Sequence, residues 1–161
     1  DGWATVGGCD MRNIMLARGM TDVELATDNC VVLKGTLADP YTGKLIEFVR
    51  GNKTSSLVQI DHVVALSDAW QKGAQDLDAD TRLQLANDPL ELLAVDGPAN
   101  QKKGDGDAAT WLPPNKAFRC QYVARQIAVK SKYRLWVTEA EKSAMKRVLS
   151  GCGEQVLPLL S

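Results

Sequence analysis

Asp61 and His62 stand side by side, and His62 is the only histidine among 161 residues. A neutral imidazole, with a reference pKa near 6.5, can take a proton from water at neutral pH. The neighbouring carboxylate is a hard oxygen donor of the kind that holds a divalent cation. Asn100 supplies a second oxygen donor, and Lys102 and Lys103 follow it closely. A base, two oxygen ligands and nearby cations are the parts needed for metal-assisted hydrolysis of a phosphodiester. An Asp-His dipeptide is common by chance, and a lone His beside a strand is more often a structural hydrogen-bonder. The case therefore rests on the elements that position these side chains.

Leu57-Val58-Gln59-Ile60 is an apolar run that reads as a strand ending in Asp61-His62. Ser67 is the expected N-cap of a following helix that Gly73 ends, and Ala79 to Ala86 fits a further short helix with Asp78 or Asp80 at its start. Asn87-Asp88-Pro89 forces a turn, since the residue before proline avoids the helical region. Asn87 is a candidate for orienting this loop through backbone hydrogen bonds, or simply a turn residue. Leu90 to Val95 reads as a second strand, and Gly97-Pro98 lies near the start of a helix that bears Asn100. Adjacent residues on a regular strand point to opposite faces. For Asp61 and His62 to share a site, the backbone must leave regular geometry there, or one side chain must act through the metal shell.

Residues 57–107 resemble the HNH endonuclease family, in particular its secreted bacterial branch. The resemblance is carried by Asp61-His62-Val63-Val64-Ala65-Leu66, by Asn87-Asp88-Pro89-Leu90, and by Ala99-Asn100-Gln101-Lys102-Lys103-Gly104-Asp105. Cys9-Asp10-Met11-Arg12-Asn13 and Trp111-Leu112-Pro113-Pro114-Asn115 extend it over most of the chain. It implies an α+β fold in a single domain over residues 1–161, with a ββα-metal core at 57–107. An N-terminal helix and β-hairpin would precede that core, and C-terminal helices would follow it. It also implies a metal-dependent endonuclease that cuts DNA, and RNA as a second candidate, with little sequence specificity. His62 would be the general base, with Asn87 and Arg12 in support. Asp61 and Asn100 would hold one Mg²⁺, for which Mn²⁺ can substitute. Arg12, Lys102 and Lys103 would hold phosphates. Asn100 stands where the family name has its second His, which argues against a nitrogen-rich zinc site. A domain of the same fold that binds nucleic acid without turnover is the alternative.

The rest of the sequence frames that expectation. Residues 9–19 read as a helix with Asp10 near its start and Gly19 as its stop. Cys30–Leu37 and Lys44–Val49 read as a scaffold hairpin joined at Asp39-Pro40-Tyr41-Thr42-Gly43. From Pro114 to about Arg134 a helix is expected, with Phe118, Tyr122, Val129 and Tyr133 on one face. Lys116, Arg119, Lys130 and Arg134 form a second stripe on it. Thr138-x-x-Glu141 is a capping-box signature for a last helix.

Residues 114–147 hold nine Lys and Arg against Glu139 and Glu141, a net of +7, so with a total of −1 the remainder carries −8. Such asymmetry is a hint of nucleic-acid contact, with Lys116 and Arg119 as contact candidates.

Cys9, Cys30, Cys120 and Cys152 lack C-x-x-C spacing, and an even count in a domain this size predicts two disulfides. Of three possible connectivities, Cys9–Cys30 with Cys120–Cys152 brackets one local unit at each end. The other possibility is four buried thiols in a cytosolic protein. Two disulfides imply a secreted, extracellular protein whose signal peptide is absent from this mature chain. No apolar run approaches the roughly 18 residues of a membrane helix, and no obligate protein partner is evident.

Overall fold

Asp10 ends a short ribbon and begins a helix. β1 (Thr5–Val6) and β2 (Cys9–Asp10) pair antiparallel across Gly7-Gly8. Asp10 then caps α1 (Met11–Gly19), its carboxylate accepting from the Asn13 amide at 2.7 Å. The computed structural model describes residues 2–158, and the fold is α+β. The ribbon has no counterpart in the sequence-based expectation, because two-residue strands carry no alternation to read.

β3 (Met20–Leu25) leaves α1 directly and pairs antiparallel with β4 (Val32–Ala38), which pairs with β5 (Leu45–Val49). The last two are the expected hairpin, and β3 is an added edge strand. Only its first residue, Met20, is buried, so its hydrophobic pattern is too weak to mark a strand. Met11, Met15 and Leu16 of α1 pack against Val32, Leu37 and Phe48 of this sheet and also against Val58 and Leu92. The first helix is thereby fixed across both sheets.

β6 (Val58–His62) and β7 (Leu92–Asp96) form the motif's antiparallel pair, with Asp61 opposite Leu93 and His62 opposite Leu92. Between them come α2 (Leu66–Gln71) and α3 (Ala79–Asn87). Ser67 is not the N-cap of α2: the helix starts two residues earlier than that cap implies, at Leu66, with Ala65 at the N-cap and no side-chain cap. Asp78 caps α3 through the Thr81 amide at 2.7 Å. α4 (Gly97–Lys103) follows β7 without a linker, capped by Asp96 through the Ala99 amide at 2.9 Å. Gly97 is required at that junction, since a Cβ there would lie 2.0 Å from the Ser56 carbonyl oxygen.

α5 (Arg119–Tyr133) begins later than expected, after a short 3-10 turn at Lys116–Phe118. Tyr122, Val129 and Tyr133 form its buried face, as expected. α6 (Glu139–Leu149) is capped by Thr138, whose hydroxyl accepts from the Glu141 amide at 3.1 Å. The disulfides join Cys9 to Cys30 and Cys120 to Cys152, the predicted pairing.

A buried ion cluster ties the C-terminal helices to α2. Lys72 reaches Asp68 at 2.6 Å, Asp107 at 2.8 Å and Glu141 at 2.7 Å. Lys130 joins it, 2.8 Å from Glu141 and 3.5 Å from Asp68. This breaks the expected basic stripe. Lys130 points inward and is buried, and Arg119 spends its Nε–H on the Pro113 carbonyl at 2.8 Å. Only Lys116 and Arg134 of the four are exposed.

Candidate active site

One face of α4 lies on one face of β6, and the site follows from that contact. Gln59 and Asp61 are two apart on the strand, so they share a face. Asn100 and Lys103 are three apart on the helix, so they share one too. The faces meet residue to residue: Asn100 Nδ2 donates to Gln59 Oε1 at 2.9 Å, and Lys103 Nζ donates to Asp61 Oδ2 at 2.7 Å.

These pairs set which atoms remain available. Gln59 Nε2 donates to the Ser56 carbonyl at 3.2 Å, which presents Gln59 Oε1 to Asn100 and orients the Asn100 amide. Asn100 Oδ1 then has no donor among the described residues. Asp61 is 6% exposed, and its Oδ2 accepts from both the Tyr41 hydroxyl and Lys103. Its Oδ1 likewise has no donor among the described residues. Both residues border a depression of about 310 Å³, together with His62, Ser67 and Asp105.

His62 occupies the other face of β6. The strand stays regular through His62, the Val63 amide still donates in register to the Glu91 carbonyl at 2.7 Å, and the chain bends there. Because the strand stops there, both side chains still border the same depression. His62 Nε2 lies 2.9 Å from the Ala86 carbonyl oxygen. A carbonyl can only accept, so the neutral ring carries its proton on Nε2 and leaves Nδ1 unprotonated. Burial lowers the imidazole pKa below its ordinary 6.5, outweighing the opposite pull of the Ala86 carbonyl and Asp61, and Lys103 lowers it further. The Trp3 indole lies parallel to the imidazole, with planes 2° apart and centroids at 5.6 Å.

Asn87 contributes to that stacking rather than to the loop it begins. Its Oδ1 accepts from the Ala4 amide at 2.7 Å, and its Nδ2 donates to Leu83 in its own helix. Consecutive residues, Ala86 and Asn87, therefore hold the imidazole and the segment carrying Trp3.

His62 also borders a second, larger cleft of about 670 Å³, shared with Trp3, Asp10, Arg12, Asn13 and Arg50. Asn13 is buried and joins its walls. Its Oδ1 accepts from the Val32 amide at 2.9 Å and from Arg50 Nη2 at 2.8 Å, while its Nδ2 donates to Asp10. Arg12 is half-buried, and burial and the neighbouring Arg50 lower its pKa against the pull of Asp10. Two guanidinium groups held together in a concavity make a place for an anion.

The expectation that Lys103 meets phosphate is corrected. Its ammonium is buried and donates to Asp61 Oδ2 at 2.7 Å, the His62 carbonyl at 2.7 Å and the Val63 carbonyl at 3.0 Å, which uses all three protons. Lys102 beside it is exposed. Lys116 and Arg119 border neither cleft around His62.

Sequence reasoning missed Gln59, Tyr41, Arg50, Trp3 and Glu91. Glu91 is fully buried and accepts from the Val64 amide at 2.6 Å, and burial pushes its carboxyl well above the usual range. Gln59 was discoverable, since it shares the face of Asp61 by simple alternation. Tyr41 and Arg50 carried no such signal, because only the tertiary fold brings their hairpin to the motif.

Residues 11–148 match the family described as GmrSD restriction endonucleases, C-terminal domain. An "uncharacterized secreted protein" of Arthroderma benhamiae (strain ATCC MYA-4681 / CBS 112371) is 39% identical over 153 residues, which cover 93% of this chain and 72% of that protein. That relative is fungal, whereas the motifs resembled a bacterial branch. No solved structure matches. With its site elements inside the matched residues, the chain belongs to the GmrSD restriction endonuclease C-terminal domain family.

Proposed function

We propose that this protein is a secreted, metal-dependent endonuclease of HNH type, hydrolysing DNA phosphodiesters with little sequence specificity. The observation that carries this is the shared depression: the unprotonated Nδ1 of His62 and the unused Oδ1 atoms of Asp61 and Asn100 belong to residues that border it.

The donor set fits a small hard cation. Among the described residues no group of three His, Cys, Asp or Glu side chains is placed to hold a metal ion, and the two donors here are oxygens rather than the nitrogen or sulfur that zinc favours. One carboxylate oxygen and one amide oxygen suit Mg²⁺, which keeps several waters, and Mn²⁺. When bound, such a cation offsets charge on the scissile phosphate and the leaving oxygen.

The chain's own residues do the rest. His62 Nδ1 accepts the proton of the attacking water, and the Ala86 carbonyl holds the imidazolium that results. Tyr41 and Lys103 keep Asp61 in place, and Gln59 keeps the Asn100 oxygen turned toward the depression. Arg12 and Arg50 are the phosphate-holding groups next to the base, in place of the broad helical stripe. Both disulfides and the secreted relative support an extracellular setting.

Supercoiled plasmid provides the test. Nicking should stop on addition of EDTA and return with excess Mg²⁺ or Mn²⁺. Undiminished cleavage after chelation would remove the metal, and binding without nicking in any of these conditions would favour the domain without turnover.

Gln59→Leu should raise the Mg²⁺ concentration for half-maximal nicking by about 10–100-fold, as loss of an outer partner does at metal sites. An unchanged Mg²⁺ requirement in a variant with wild-type circular dichroism would show that Asn100 needs no orienting partner.

A further inference from the structure

The ammonium of Lys103 sits where it changes what Asp61 can do. It is 3% exposed, lies 2.7 Å from Asp61 Oδ2, and is held by two backbone carbonyls at 2.7 and 3.0 Å. The Tyr122 ring lies 5.8 Å away on its flank. With all its protons engaged and its stem buried, this cation cannot swing away. Asp61 therefore presents a carboxylate whose charge is already matched inside the protein.

The other ligand does not make up the difference. Asn100 is neutral, and its amide is committed to Gln59. Asp105 is the one further acid bordering the depression, and it is exposed to solvent, where its charge is screened. A divalent cation entering the free protein thus meets two oxygens with almost no uncompensated negative charge, next to a fixed positive one. Hard divalent cations depend on ligand charge count for affinity. The missing charge is available from one source that must be present anyway, the phosphodiester of the substrate.

We infer that cation binding at Asp61 and Asn100 is conditional on the nucleic acid, and that Lys103 imposes the condition by neutralising Asp61. This rests on the assignment of Asp61 and Asn100 as ligands. Lys103 is a positioning residue: it touches neither phosphate nor cation, and acts through the carboxylate. By linkage, the cation must strengthen nucleic-acid binding by the same factor by which the nucleic acid strengthens cation binding.

The experiment measures binding rather than turnover. His62→Ala protein is titrated with Mn²⁺ by electron paramagnetic resonance, alone and with a short duplex, with Mn²⁺ bound by the duplex itself subtracted. The duplex should tighten Mn²⁺ binding about tenfold or more, within the 5–150-fold range usual for coupled sites. Fluorescence anisotropy of the same duplex should show the same factor when Mn²⁺ is added. Lys103→Met in this background should tighten Mn²⁺ binding to the free protein about tenfold and shrink the coupling, an improvement that a merely structural lysine would not produce. Should Lys103→Met fail to fold, the two-way coupling in the lysine-containing protein decides alone. Equal Mn²⁺ affinity with and without duplex overturns the inference, as does a folded Lys103→Met protein that binds Mn²⁺ no better. A different result condemns the ligand assignment beneath it: Mn²⁺ binding that Asp61→Asn and Asn100→Ala leave unchanged, or no Mn²⁺ binding even with duplex.

Discussion

His62→Ala is expected to lower the rate of plasmid nicking by about 10²–10⁴-fold, the usual contribution of a general base. No other imidazole exists in the chain to take over. The ring is fixed on three sides, by the backbone of β6, by the Ala86 carbonyl at 2.9 Å and by the parallel indole of Trp3. Alanine removes the base while Asp61, Asn100 and their partners stay in place, because those contacts lie on the other face of the strand. Cleavage within about tenfold of wild type, in a variant that keeps its circular dichroism, would mean another group activates the water. The pH profile adds a sign. Burial, as the leading cause, lowers the imidazole pKa from 6.5, so the base stays unprotonated to lower pH. The acid limb of the wild-type rate should therefore lie below pH 6.5, and it should vanish from whatever activity the alanine variant retains.

Glu141→Ala is expected to cost about 3–5 kcal/mol of stability, the usual penalty for removing one partner from a buried ion pair. For a domain of this size that is a fall in Tm of roughly 6–20 °C. Glu141 has no exposed surface and meets two lysines, at 2.7 Å from Lys72 and 2.8 Å from Lys130. The Lys130 contact is an ion pair without a well-directed hydrogen bond. Burial alone would drive the Lys72 ammonium toward its neutral form, but its bonds to Asp107, Asp68 and Glu141 outweigh that and raise its pKa. Without Glu141, two buried ammonium groups share Asp68 and Asp107. The helix cap survives the change, since Thr138 accepts from the Glu141 backbone and not from its side chain. Glu139→Ala, on the exposed first turn of the same helix, is the control, expected within about 0.5 kcal/mol of wild type. Thermal melts of the two variants that coincide would show that the cluster is not what holds α6.

Glu141 also shows why sequence reading stopped where it did. The Thr138-x-x-Glu141 pattern correctly marks the start of α6, yet only half of the box forms. The side chain that would have reached back to the cap turns inward to two lysines from distant segments. Lys130 leaves its expected stripe for the same reason. Helical angles put it on a stripe with Arg134, but its long stem carries the charge round into the core. Local patterns did specify β6, β7, α4 and the bracketing cysteines, because strand alternation, caps and a Pro turn are written in adjacent residues. The direction of Lys103 was not written there. Lys102 and Lys103 look alike as a dipeptide, and only the i, i+3 spacing from Asn100 separates the buried one from the exposed one. Arg50 and Trp3 reach His62 solely through tertiary folding, so no local signal could pair them with it.

The flat packing of one indole on the sole imidazole has a practical side. A protein without a histidine tag would give a single set of imidazole resonances in a proton NMR spectrum, needing no assignment. Ring currents from Trp3 should displace those lines from their positions in a free imidazole, so the same peaks report both whether the ring carries a charge and whether the indole still covers it. Each addition of nucleotide, cation or inhibitor could then be followed at His62 itself, with no label introduced.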